Sequence, residues 1–299
     1  MAEEEGSRHR RETRVGDLPE ACLAHAIALT SPRDACRCAA VSPAFRAAAD
    51  SDHVWGRFIP EDHRRAPVAL RPAAAAAGRA DTKKDAYLGL CDGGVPVGGD
   101  GGGCRLWLDR ASGAKCYALS ARRLSLPWED GEFSWRWVPH PLSRFGEVAE
   151  LMDCTFLDIY GRLPAAAFTP ATSYAAYLVY GTAQGHRGLS FPDQETAVRL
   201  GGRAPSSGAL ACRRAVCLRP DEAEARKFWG AGVVAPDGGA EEPRLRGDGW
   251  WEVEMGRLRA GEAGERVAPG EEVVASFEVL GSYPKRGLIV EGIEFRPLQ

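Results

Sequence analysis

From Arg105 onward the apolar positions recur at every second residue. Leu106 and Leu108 bracket Trp107, and Cys116-Tyr-Ala-Leu-Ser120 follows a turn at Ala111-Ser-Gly113, the pattern of a β-hairpin. Strand-like runs continue at Trp135–Val138, Leu151–Tyr160, Tyr174–Tyr180, Ala215–Leu218, Trp250–Met255, Val273–Leu280 and Leu288–Phe295, with Gly- and Pro-rich stretches between them. No apolar pattern of helical length intervenes, which argues against a parallel βαβ sheet. About nine antiparallel strands over roughly 195 residues make one β-sandwich. Within that region Asp221–Trp229 reads as one or two helical turns, and Pro236–Asp248 as a polar surface loop.

The chain ahead of residue 60 has another rhythm. Asp17-Leu-Pro-Glu20 sets an acidic cap, an early proline and a third-position Glu before Ala-Cys-Leu-Ala-His-Ala-Ile-Ala-Leu29. Ser31-Pro-Arg-Asp34 and Ser42-Pro43 repeat the device, each a Ser cap followed by Pro at the first helical position. Ser51-Asp52 opens a fourth short segment through Val54, Trp55 and Phe58. Leu23 and Ile27 share one face at i, i+4. With Val41, Phe45, Trp55 and Phe58 they make a thin core, and a module this small usually needs outside support. Residues 63–103 read as a connector, with prolines at 67 and 72, an alanine run at 73–77, a short capped helix from Thr82 through Cys91, and a Gly-rich loop at 93–103. That loop lacks the Gly-Lys-Ser/Thr ending of a phosphate cradle.

Composition narrows the classes. With 38 basic and 41 acidic side chains the net charge is −3, so the basic footprint of a nucleic-acid binder is absent. No stretch is apolar for the roughly 20 residues a membrane helix needs, and the charged start MAEEEGSRHRRETR offers no secretory signal. Nucleus and cytoplasm are therefore the expected locations, and residues 1–16 the expected disordered start. Nine scattered cysteines form neither a disulfide framework nor a zinc spacing, and read as free thiols in the role of small buried hydrophobes. No metal or other cofactor is expected. Catalysis would require a nucleophile with its base or a working carboxylate pair. No Gly-x-Ser-x-Gly elbow occurs, and Glu271, Glu272, Glu278, Glu291 and Glu294 sit at strand spacing, with Glu291 and Glu294 expected on outward faces. A binding protein is expected, and an enzyme is not.

One segment stands apart. Leu124-Ser-Leu-Pro-Trp128-Glu-Asp-Gly-Glu-Phe133-Ser-Trp135-Arg-Trp137 places three of the eight tryptophans beside three acids. Alternation sends Trp135 and Trp137 to one face, where either could be core. Trp128 follows a proline in a turn-like setting, where an exposed ring beside carboxylates suits the apolar face and hydroxyls of a sugar.

The capped stretch from Asp17 to Phe58 resembles the F-box of plant F-box proteins. Ser120-Ala-Arg-Arg-Leu124, the tryptophan segment, Arg144-Phe-Gly-Glu-Val-Ala-Glu-Leu151, Thr172-Ser-Tyr-Ala-Ala-Tyr-Leu-Val179 and Gly287-Leu-Ile-Val-Glu-Gly-Ile-Glu-Phe-Arg-Pro297 resemble phloem protein 2-like lectins of the Nictaba type. The implied architecture is an α+β multidomain chain: an F-box at 17–62, the connector at 63–103, and an antiparallel, jelly-roll-like β-sandwich at 104–299. The resemblance implies docking on the Skp adaptor of an SCF ubiquitin ligase, and through it on cullin and RING subunits, by Leu18, Pro19, Leu23, Ile27, Pro32, Val41 and Trp55. It implies a carbohydrate site containing Trp128 and Trp135, which have the seven-residue separation of the lectin branch, with Glu271 and Glu278 as the acidic candidates. N-acetylglucosamine-containing glycans on target proteins are the implied ligands. The alternative is a platform that binds target proteins without sugar.

Overall fold

The computed structural model describes residues 15, 18–61, 82–92, 94–97, 102–127, 134–191, 193–201, 213–218, 241–261 and 270–298. The expectations for residues 1–14, Asp17, the alanine run, Trp128, Asp221–Trp229 and residues 236–240 fall outside these. Two compact units emerge, Met1–Gly93 with Arg110–Gly113, and Gly94–Asp109 with Ala114–Gln299.

The first unit holds α1 (Glu20–Ala28), α2 (Pro32–Cys38), α3 (Pro43–Ala49), α4 (Asp52–Phe58) and α5 (Lys83–Asp92). Ser31 and Ser42 cap as expected: each hydroxyl accepts the amide three residues on, at 3.1 and 3.3 Å, and Pro opens each helix. The start of α1 differs, because Pro19 occupies the cap position and no side chain bonds there. The core gathers Leu23, Ile27, Ala48, Val54 and Trp55. The Trp55 indole N–H donates to the Ala49 carbonyl at 2.8 Å, and its ring meets Phe58 and Tyr87 at 5.7 and 5.2 Å. Tyr87 belongs to α5, which was read as connector. It packs on α4, with the Lys83 amide on Asp52 at 2.8 Å and Lys84 on Asp50 at 2.6 Å. Part of the support that the thin core requires is thus supplied from within the chain.

The second unit contains thirteen described strands: β1 (Val95–Pro96), β2 (Cys104–Leu108), β3 (Lys115–Ser120), β4 (Trp135–Pro139), β5 (Glu147–Leu151), β6 (Leu157–Pro164), β7 (Ser173–Arg187), β8 (Gln194–Gly201), β9 (Arg214–Val216), β10 (Arg244–Leu245), β11 (Trp251–Arg259), β12 (Glu272–Val279) and β13 (Arg286–Pro297). All their pairings are antiparallel. The larger sheet runs β1-β2-β3-β13-β7-β11-β10, with β5 joining β13 and β4 joining β5; the smaller runs β6-β12-β8-β9. The sheets stack. Gly161 of β6 lies against Ile293 and Leu119, and Gly256 of β11 lies against Val198 of β8. Ile159, Phe277, Leu178, Ile293 and Phe295 fill the space between them.

Several sequence expectations change. The run Leu151–Tyr160 is two strands, broken at residues 152–156, and the Gly-rich loop contains β1. The polar stretch after residue 240 contains β10, paired to β11. Glu291 and Glu294 lie on the outer face but are not open to solvent: arginines cover them, and they are 0 and 2% exposed. They are three residues apart, which sends side chains of a regular strand to opposite faces. A bulge between Val290 and Gly292 absorbs one residue and brings both to Arg144, at 2.8 and 2.6 Å. Cys104, Cys116, Cys154 and Cys217 are buried thiols as expected, whereas Cys22 and Cys36 are exposed.

Candidate functional site

The pairing register of the small sheet sets three carboxylates side by side. Glu278 of β12 stands opposite Asp158 of β6 on one side and Glu195 of β8 on the other. Like charges directly opposite in a sheet repel. Arg213 forms ion pairs with the row, at 2.8 Å from Glu195 and 3.6 Å from Glu278. All three acids are partly exposed. The Tyr160 hydroxyl reaches Glu278 at 3.5 Å, and burial, then the charges of Glu278 and Asp158, raise its pKa above the ordinary phenol value. It therefore remains a donor at neutral pH.

Trp135 lies at the same end. Ser125 bridges Tyr160 in antiparallel sense, so Pro127 falls near the level of Asp158, and the Trp135 indole N–H donates to the Pro127 carbonyl at 2.9 Å. The ring itself is buried. Trp128 follows Pro127 in sequence and lies outside the described residues. Glu271 is placed differently from expectation. It precedes β12, seven residues from Glu278, about 23 Å along an extended strand. At that separation one small-ligand pocket cannot hold both Glu271 and Glu278. Asp158, Glu195, Tyr160 and Arg213 carry no joint signal in the sequence, since only register brings them together.

Loops at this end are tied by Lys285, which is fully buried. Its ammonium donates to the carbonyls of Thr155, Gly281 and Tyr283 at 2.8, 2.5 and 2.9 Å, joining the β5–β6 and β12–β13 connections. Burial lowers its pKa. The Tyr283 hydroxyl meets Asp193 at 2.5 Å, and Asp193 also accepts the Leu280 amide through its backbone, which draws in the strand carrying Glu195.

On the other outer face β11 and β13 bury Glu252, Glu254, Glu291 and Glu294 under arginines. Burial would raise the Glu294 carboxyl, but Arg144, Arg246 and Arg296 overcome this and hold it below the ordinary range. The thiols of Cys104 and Cys154 are pushed by burial to about 11, which makes them poor nucleophiles. No group of three or more His, Cys, Asp or Glu among the described residues is arranged to hold a metal ion.

In the helical unit the expected docking residues divide. Leu23, Ile27, Pro32 and Trp55 are sealed inside it, because α1 turns its i, i+4 pair toward α3 and α4 and the indole is pinned to Ala49. Pro19 is exposed, as are Leu18 and Val41 at 43 and 66%. Leu29, outside the expected docking set, is 68% exposed.

These features define a two-module protein, a small helical adaptor-type unit joined to a lectin-like pair of antiparallel sheets. Family models place them: the F-box domain matches residues 16–57, and phloem protein 2 matches residues 114–297. F-box protein PP2-B10 of Arabidopsis thaliana is 35% identical over 281 residues, covering 94% of this chain and 93% of that one. F-box protein PP2-B15 of the same plant is 33% identical over 288 residues, covering 94% and 96%. The chain belongs to the plant family of F-box proteins that carry a phloem protein 2 domain. Among solved structures, a family 35 carbohydrate-binding module from Clostridium thermocellum aligns with 60% of this chain and 96% of its own at 9% identity and a TM-score of 0.30, too loose a likeness to bear on fold or ligand.

Proposed function

We propose that this chain is the substrate receptor of an SCF-type ubiquitin ligase. The F-box docks on the Skp adaptor through Leu18, Pro19, Leu29 and Val41, while Leu23, Ile27, Pro32 and Trp55 hold the helices that present them. Cullin and RING subunits are reached through the adaptor, and the ubiquitin chemistry belongs to those partners. The chain acts in the nucleus and cytoplasm on target proteins, and its own role is non-catalytic. Large apolar side chains left in water on a unit this small support the docking reading. Co-purification with the adaptor tests it. Val41→Asp should cut capture at least about tenfold, some 1.4 kcal/mol, with an unchanged melting temperature. A parent chain that ignores the adaptor at micromolar concentration removes the ligase role.

The phloem protein 2 domain binds N-acetylglucosamine-containing glycans at the carboxylate row. The observation that carries this is the alignment of Asp158, Glu278 and Glu195 beside the Tyr160 donor, a line of acceptors for sugar hydroxyls that repels itself when empty. Titration with chitotriose is the test: Glu278→Gln should weaken binding about tenfold, and a variant that binds like the parent defeats the site. A second reading has its own support. Met152, Phe156 and Leu280 are exposed in the connections at this end, which favours a protein platform. Binding of a target protein that survives removal of its glycans would select that reading.

A further inference from the structure

The motif Ser120-Ala-Arg-Arg-Leu124 takes no part in the carboxylate row. It lies where β13 exchanges one neighbour for another: residues 292–295 pair with β3, and residues 289–290 with β5. The exchange needs Gly292, because a Cβ there would stand 1.9 Å from the Leu119 carbonyl oxygen. At this fork the end of β3 and the start of β5 part, and a cavity of about 430 Å³ opens, lined by Gly103, Ser120, Arg122, Arg123, Phe145 and Glu147.

Ser120 is 3% exposed, and its hydroxyl has no hydrogen-bond partner. A buried polar atom left unmatched in a native protein calls for an explanation, and an absent ligand is one. Beside it Arg122 is paired to a carboxylate and stacked on an indole. Its Nε and Nη2 donate to the two Glu147 carboxylate oxygens at 2.7 and 3.1 Å, and its guanidinium carbon lies 3.7 Å from the centre of the Trp137 ring. Gly103 leaves room for the Arg123 stem, since a Cβ at 103 would stand 2.7 Å from Arg123 Cγ.

The chemistry of this lining selects its occupant. The Glu147 carboxylate opposes an anion, and two guanidiniums oppose a cation. What remains is a set of fixed donors, a fixed acceptor, a hydroxyl that can both donate and accept, and the ring of Phe145. Adjacent hydroxyls on an apolar ring match such a set, and the volume falls within the range of small-ligand sites. We infer that the fork pocket is a second binding site for an uncharged polyol ring, that is, a sugar residue, contacted by Ser120, the Arg122–Glu147 pair and Phe145. None of its lining residues belongs to the carboxylate row, so it stands whether or not that row binds glycan.

Amide NMR on the full chain, titrated with chitotriose and with mannotriose, reads the two sites apart. The Gly103 and Phe145 amides should shift with a dissociation constant near about 1 mM, in the parent and in Glu278→Gln alike. Ser120→Ala removes a hydroxyl that bonds to nothing in the free protein. It should keep or raise the melting temperature while weakening the trisaccharide at these amides about fivefold, and Glu147→Gln should weaken it likewise. No shift at Gly103 and Phe145 with about 20 mM of either trisaccharide overturns the pocket, as does a Ser120→Ala chain that binds like the parent. A stronger response to inorganic phosphate than to both sugars makes it an anion site and equally overturns it. Loss of the response near Glu278 alone counts against the carboxylate row and leaves the fork standing.

Discussion

On the large sheet four carboxylates, Glu252, Glu254, Glu291 and Glu294, are buried, and each meets a guanidinium within 2.8 Å. On the small sheet three carboxylates, Asp158, Glu278 and Glu195, stand in one row at the surface, and Arg213 answers the last two. The first arrangement is closed: Arg144, Arg244, Arg246 and Arg296 fill the lone pairs of Glu252, Glu291 and Glu294, and Arg214 and Arg257 those of Glu254. The second keeps acceptors in reserve. Acid buried under several arginines holds the domain together, and acid at the surface that shares a single arginine keeps lone pairs for something from outside.

The sharpest way to break this contrast is to unmatch the first face. Arg144→Ala leaves Glu291 buried without its guanidinium, and breaking one side of a buried pair costs about 3–5 kcal/mol. A urea midpoint close to that of the parent would dissolve the contrast. Acid should attack the same face. The Glu294 pKa is depressed in the folded state, so its share of stability is complete above the ordinary carboxylate value of about 4.3 and is lost as the pH falls through the lower folded value. Urea midpoints should therefore be flat from neutral pH down to about 5 and fall below about 4, with a shallower fall in Glu294→Gln. On the small sheet the sign reverses. Glu278→Gln relieves two like-charge neighbours and should hold or raise stability by up to about 0.5 kcal/mol while weakening chitotriose. Smallest of all is Arg213→Ala. This largely exposed guanidinium should leave the melting temperature unchanged and chitotriose affinity within about twofold of the parent.

How much of this could be read from the sequence follows from the same contrast. The strands of the large sheet announced themselves because Val, Leu, Ile and Phe alternate there, and Ser31 and Ser42 with their prolines marked α2 and α3. β8 stayed hidden because two of its inward residues are polar: Gln194 donates to the Leu189 and Phe191 carbonyls, and Thr196 is buried. The carboxylate row could not be read at all, since Asp158, Glu195 and Glu278 are far apart in sequence and only the pairing of β6, β12 and β8 aligns them. The spacings Trp128–Trp135 and Glu271–Glu278 teach one thing. A seven-residue spacing fixes little until it is known whether the chain between is loop or strand. The bulge at Glu291 carries no signal in composition, and neither do the arginines that cover both glutamates on the outer face, since these come from distant segments.

The place of β13 in the large sheet has a consequence for how the molecule is made. Residues 286–297 run through the middle, with β7 on one side and β3 then β5 on the other, yet they are translated after every other strand. At about 5–20 residues per second, tens of seconds separate the emergence of β2 from that of β13. Throughout that interval the strands on either side have no shared partner, while the helices ahead of them, built from near neighbours, are free to form. A ribosome that stops before residue 286 therefore releases a helical head with an unassembled tail, which makes synthesis of β13 a condition for any recognition by the sheets.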